Sequence, residues 1–320
     1  ADRVAILKGY ADYSWSLDET HYVIFEHLGG DTEEQQWANY RLGDPVPKGI
    51  MMWSEMWNDY KNLAQGQSSS INFDRMGHTA HGFTGKRTLG YPESHDKDRI
   101  MYEMVQFGIN TEPSHNVRDL NTALSRMSAI GAVTIPIPGP KMLWHFADLG
   151  MDNSIWTCSN GVVNSDYDVN NDGDCKLDTK PQPQWTENWL GDATRSQIYS
   201  DWARLNALKI NEVVFEGNYS ISSGTQTPKI FIWDDTLPST ELKNVIILAN
   251  FNVTTQNITP NFPYTGNWYD LMDETGSTSI NVSNVTTPLS IPAGEFRIYG
   301  NLGVTLNTET ISTQEVFTLH

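Results

Sequence analysis

No stretch of roughly 18 or more apolar residues occurs in the sequence, so it holds no candidate transmembrane helix. Positive charge is scarce as well: 21 lysines and arginines face 39 aspartates and glutamates, a formal net charge of -18. That balance excludes nucleic acid and anionic membrane surfaces as partners, because both repel a polyanion. A neutral polymer such as a polysaccharide is not repelled. Cysteine is nearly absent. Cys158 and Cys175, about 17 residues apart, bracket a turn-rich segment; in an extracellular chain they are expected to pair, closing a loop worth roughly 3 kcal/mol. Two free buried thiols are the alternative. An initiating Met and a recognisable signal peptide are also missing, and a start at Ala1-Asp2-Arg3 fits a processed or truncated product.

What is present suffices for a large fold. At 320 residues, with 38% hydrophobic and 11% aromatic residues, the chain can fill a barrel-sized domain plus a smaller one. Residues 1–15 carry Val4, Ile6, Leu7, Tyr10, Ala11 and Trp15 at helical spacing. His21 to Glu26 is a short β-branched and aromatic run ending in an acid, the form of a buried parallel strand. Gly49 to Trp53, Arg87 to Tyr91 and Pro140 to Phe146 have the same form. Helical stretches lie between and after them, notably Leu120 to Val133 and Ala193 to Leu208. Such alternation means a parallel sheet with right-handed crossovers. An open doubly wound sheet and a (β/α)8 barrel both satisfy it, and only four strands are present. After Lys209 the sequence turns rich in Thr, Asn, Val and Ile, with short alternating runs such as Val245 to Asn250 and Glu295 to Tyr299. That is the pattern of an antiparallel β-sandwich. The expected organisation is an α/β unit over 1–208, an all-β domain over 209–301, and a linker or tail over 302–320.

In a (β/α)8 barrel, catalytic side chains sit at the C-terminal ends of the strands. Glu26 ends the first strand, and Glu93-Ser-His-Asp96 follows the third. Glu26 and Asp96 are about 70 residues apart, two βα units of about 35, near the ~31 expected of eight units in about 250 residues. Both carboxyls would then face one funnel, and paired carboxylates meeting a neutral polymer point to glycoside hydrolysis. A carboxylate at a strand end is more often a helix cap or an ion-pair partner, so spacing alone leaves both uses open.

The local sequences carry more. Tyr91-Pro-Glu-Ser-His-Asp-Lys-Asp-Arg99 resembles the strand-seven motif of the alpha-amylase family (glycoside hydrolase family 13), where a His-Asp pair closes on the substrate. Tyr22-Val-Ile-Phe-Glu26-His27 resembles the strand-five motif that ends in the acid/base glutamate. The segment from Ile137 to Gly150 resembles the strand-eight region, and Ala293 to Tyr299 the closing strand of the C-terminal β domain. The four motifs stand in the family's order over about residues 1 to 301. The resemblance therefore implies the second half of a (β/α)8 TIM barrel followed by the β domain.

It also implies roles. Glu26 is the general acid that protonates the glycosidic oxygen and then the base that activates water, for which burial in an apolar cleft would raise its pKa. Asp96 stabilises the transition state, and His95, His27, Trp53 and Trp144 bind substrate. The sequence departs from the family at Ser94 (usually Asn), His145 (usually Gln) and Asp148 (usually Glu), which would alter subsite preference. A retaining hydrolase also needs a nucleophilic carboxylate about 5 to 5.5 Å from the acid. In the family it is a strand-four Asp preceded by Arg, and nothing before Glu26 matches that motif. The implied enzyme is a retaining, secreted alpha-amylase-type hydrolase of α-1,4-glucan. This chain supplies acid and stabiliser, is inactive alone, and needs an N-terminal half of the same barrel as partner. A catalytically incompetent glucan-binding remnant and a transglycosylase or branching enzyme are the competing readings.

Between the cysteines, Asp168, Asn170, Asp172, Gly173 and Asp174 match the start of a calcium loop, although the last ligand of that motif is absent. Calcium there would shape the loop without taking part in chemistry; an acidic solvated turn is the alternative. His78, His81 and His115 show no zinc-ligand spacing. Arg99 is expected to pair with a nearby acid. The last residues, Glu315 to His320, resemble the start of a C-terminal sorting domain.

Overall fold

The computed structural model describes residues 2–157, 163 and 187–306. α1 (Asp2–Leu17) buries Val4, Ala11 and Trp15 on one side, as its apolar spacing requires. β1 (Ile24–Phe25), α2 (Asp31–Ala38), β2 (Met51–Glu55), α3 (Trp57–Gln65) and β3 (Thr88–Tyr91) follow in alternation. The three strands pair in the order β1-β2-β3, all parallel. β3 is buried at every position, which is why its sequence does not alternate.

The fourth expected strand does not form. From Pro140 to Phe146 a single parallel bridge joins Lys141 to Gly90, and the chain then turns into a short 3-10 segment at Ala147–Leu149. Phe146 sits at φ 61, which ends any extended run, and the prolines at 136, 138 and 140 remove ladder donors just before it.

α4 (Ile100–Phe107), α5 (Leu120–Ala132) and α6 (Ala193–Asn211) follow, each packing on the next, with α4 also against α3. Asp192 caps α6 by accepting from the amides of Thr194 and Arg195. α5 and α6 touch closely: Trp202 donates to the Met127 carbonyl at 2.9 Å, and a Cβ at Gly131 would collide with its indole. Among the described residues no helix is long and apolar enough to cross a membrane.

The β region contains β4 (Asn218–Ser222), β5 (Lys229–Trp233), β6 (Asn244–Ala249), β7 (Gln256–Ile258), β8 (Gly266–Asp270), β9 (Ser279–Val282), β10 (Leu289–Ile291) and β11 (Phe296–Gly300). Six of them form an antiparallel sheet in the order β4-β5-β6-β11-β8-β9, and β10 pairs with β7 in a second, two-stranded layer. The sandwich is therefore lopsided, because helices cover the other face of the large sheet. β6 is buried on both sides. Val245, Ile247 and Ala249 join the helix core with Leu124, Ile130 and Leu205, whereas Ile246 and Leu248 join a second core with Ile258, Trp268 and Ile291.

Arg126 of α5 ties the two regions together. Fully buried, it donates to the carbonyls of Ala64 at 2.9 Å and Phe251 at 2.7 Å, and its NH1 meets His115 Nε2 at 2.9 Å. Arg126→Ala leaves the Ala64 and Phe251 carbonyls without that donor and is expected to cost about 2–5 kcal/mol in urea unfolding. Burial lowers the pKa of His78 and of His115 from 6.5 to about 4. The unfolded chain takes up protons near 6.5 that these folded sites accept only near 4, so their contribution rises with pH across that interval. As pH falls from 6.5 to 4 the urea midpoint should drop, and His115→Gln should flatten that slope.

Candidate active site

The loop after β3 is built from the inside outward. Glu93, Asp98 and Arg99 are buried beneath it, and only His95, Asp96 and Lys97 reach its surface. Arg99 donates to the His145 carbonyl at 2.9 Å, contacts His145 Nε2 at 3.0 Å, and lies 3.9 Å from Glu93. Glu93 accepts from the Ile100 amide, and Asp98 accepts from Ser154 Oγ at 2.7 Å and the Ile155 amide at 3.1 Å. Burial pushes the Glu93 and Asp98 carboxyls up and, together with Arg99, lowers His145 to about 4. Arg99 is thus the anchor of the loop, as its pairing with an acid required.

This anchoring brings the two predicted carboxylates together. Glu26, directly after β1, meets His95 and Asp96, and one carboxylate oxygen or ring nitrogen from each lies within 4.8 Å of the other two. His95 Nε2 is 3.4 Å from Asp96. Trp53 and Trp144 stand against His95, with ring centroids 6.1 Å and 6.2 Å away. The Trp144 indole N–H is buried without an acceptor among the described residues. The apolar enclosure expected around Glu26 is not supplied by these residues, since its side chain is exposed.

His27, Ser94 and His145 have partners of their own. His27 does not face the cluster as a free ligand: Nδ1 is 3.1 Å from Glu34, Nε2 is 3.3 Å from Glu33, and its ring edge meets Trp37. Ser94 is buried, with Oγ 3.4 Å from the Asp96 amide, so it supports the loop. His145 is spent on Arg99. Asp168, Asn170, Asp172, Asp174, Cys158 and Cys175 lie outside the described residues.

Sequence reasoning missed Glu55. It ends β2 between Glu26 and Asp96, with Lys97 Nζ 3.6 Å away. Burial first, then Glu55, Glu26 and Asp96, push the Tyr91 phenol up, which marks all three carboxylates as converging on one ring. The signal was available: β2, like the first strand, runs into an acid, two residues beyond Trp53. A second cluster, Asp31, Glu34 and His81, has metal-like spacing. Arg75 already serves as its cation, donating to both Asp31 oxygens at 2.6 and 3.0 Å and reaching His81 Nδ1 at 2.8 Å.

No known family profile and no curated protein matches the sequence. Solved structures do. Apo pullulanase from Klebsiella pneumoniae aligns at a TM-score of 0.61 and 11% identity over 94% of this chain and 42% of that one. An Anoxybacillus alpha-amylase aligns at 0.58 and 11% over 93% and 56%. The alpha-amylase from H. orenii aligns at 0.51 and 13% over 87% and 53%. Similar matches include K. pneumoniae pullulanase and an AmyP variant, each complexed with maltotriose. At such identities the likeness is one of fold, and the chain spans about half the length of these structures or less. Over nearly its whole length, then, this chain folds as part of a pullulanase or alpha-amylase chain does.

Proposed function

We propose that this chain carries the acid/base side of a retaining α-glucan hydrolase of the alpha-amylase type. One observation carries the reading: Glu26, His95 and Asp96 converge within 4.8 Å beyond the ends of parallel strands, between two Trp rings. The fold shared with pullulanase and alpha-amylase chains, two of them holding maltotriose, supports an α-glucan as substrate.

In the proposed reaction a carboxylate nucleophile attacks the anomeric carbon while Glu26 protonates the departing glycosidic oxygen. Water then attacks the glycosyl ester, and Glu26 takes its proton. Asp96 accepts hydrogen bonds from sugar hydroxyls as the ring flattens, and His95 donates one. Trp53 and Trp144 shield the sugar faces.

The nucleophile is proposed to come from a partner half carrying further βα units. Ile6, Tyr10, Tyr13 and Leu17 of α1 are 55%, 66%, 68% and 73% exposed at helical spacing, on the side opposite Val4, Ala11 and Trp15. β1 beside them, with Ile24 exposed, pairs only with β2 among the described residues. An exposed apolar stripe on α1 and a strand edge unpaired among the described residues suit a polypeptide that adds a strand and a helix. A second reading rests on the closeness of Glu26 and Asp96, which approaches the separation of a retaining pair. In it Asp96 is itself the nucleophile and no partner is needed.

Turnover of maltoheptaose by this chain alone, against the chain joined to such a half, separates the two readings; product analysis tells hydrolysis from transglycosylation. In the active form Glu26→Gln should lower kcat at least about 100-fold. Retained turnover would refute the acid/base role. Tyr10→Lys with Tyr13→Lys should abolish activation by the added half while leaving the unfolding midpoint of this chain unchanged.

A further inference from the structure

Among the described residues the large sheet of the β region has one face only partly covered. β7, β10 and Phe262 lie over the β6, β11, β8 and β9 end, where Ile246, Leu248, Trp268, Val282 and Tyr299 form a core. β4 and β5 extend beyond it. Their positions on that face are in register: Asn218 opposite Trp233, Ser220 opposite Phe231, Ser222 opposite Lys229. The Phe231 and Trp233 rings stack, with centroids 4.8 Å apart and planes inclined by 15°. Beside them opens a cavity of about 270 Å³ bounded by Ser220, Ser222, Lys229, Phe231, Pro260 and Asn261.

The chemistry of this cavity selects its occupant. Among the described residues no carboxylate lines it, and its one cation, Lys229, donates through Nζ to the Thr259 carbonyl at 3.0 Å while keeping further N–H donors. Ser220 and Ser222 are exposed on the edge strand. The Phe231 ring flanked by hydroxyls, an amide and an ammonium donor fits a ligand that has an apolar face and a rim of neutral hydroxyls. Anions are disfavoured by the net charge of -18. A cavity of this size lies below the roughly 300–1,000 Å³ of drug-sized sites and holds about one pyranose ring, from which a chain can run on over the edge strand.

We propose that the β4–β5 face is a second carbohydrate site, which holds an α-glucan chain apart from the Glu26 cluster and shares no lining residue with it. The choice of α-glucan rests on the functional reading above; a sugar site as such does not. Its role is to keep a polymer on the protein between encounters with the cleft, raising the local concentration of scissile bonds.

The test is a titration of this chain with maltoheptaose, read by saturation transfer from protein to sugar and by calorimetry. Ser222→Arg fills the cavity from an exposed position and is expected to weaken binding at least about tenfold with no change in unfolding midpoint. Phe231→Leu should do the same through the ring, and binding should persist when Glu26→Gln and Asp96→Asn are combined. Binding abolished by the cleft pair and untouched by Ser222→Arg would overturn the proposal, as would a chain that binds no neutral oligosaccharide. Binding of cellohexaose instead of maltoheptaose, lost in Ser222→Arg, would keep the sugar site and overturn its α-glucan assignment. Turnover that fails while maltoheptaose still binds in a Ser222-dependent way would count against the catalytic reading alone.

Discussion

Arg99 has essentially no contact with solvent, and the position of the candidate site follows from that burial. A guanidinium removed from water is costly unless acceptors surround it. The His145 carbonyl accepts from it and Glu93 lies 3.9 Å away, although Arg99 Nε has no partner among the described residues, while Asp98 beside it is locked to Ser154 and Ile155. These buried contacts hold both ends of the intervening segment. His95 and Asp96 are thrust outward at the ends of the parallel strands, where Glu26 arrives from β1. The candidate site is thus held in place from below by buried polar groups.

Much of this was legible in the sequence because it depends on local periodicity. α1, α5 and α6 follow their apolar spacing, and β2 and β3 follow short continuous apolar runs that end near acids. The meeting of Glu26 with Asp96 followed from the regular length of βα units. What escaped prediction is tertiary. His27 is captured by Glu33 and Glu34 across the turn into α2, which no spacing rule announces. Pro140 to Phe146 reads as a strand by composition, but a left-handed Phe146 and the prolines before it limit pairing to one bridge. Glu55 was overlooked because the apolar run was ended at Trp53, although β2 continues to the acid itself.

Glu26 is exposed, and so is one stripe of α1. β1 is the outermost strand of the parallel sheet, and Ile24 at its edge is exposed along with Ile6 and Tyr10 of the preceding helix. An exposed acid, an exposed apolar stripe and a strand edge unpaired among the described residues are the features that the proposed partner half would cover.

β6 has a further consequence. Because it is apolar on both faces, it belongs at once to the helix core and to the core beneath the two-stranded layer, and the first of these runs unbroken from Met56 to Val304. The change in composition near Lys209 is thus not a seam in the energetics. The β region acts as a keel for α5 and α6, and its loss would leave those helices with a bare flank. Opening either part exposes apolar surface on the other, so the two behave as one cooperative unit rather than as separable foldons.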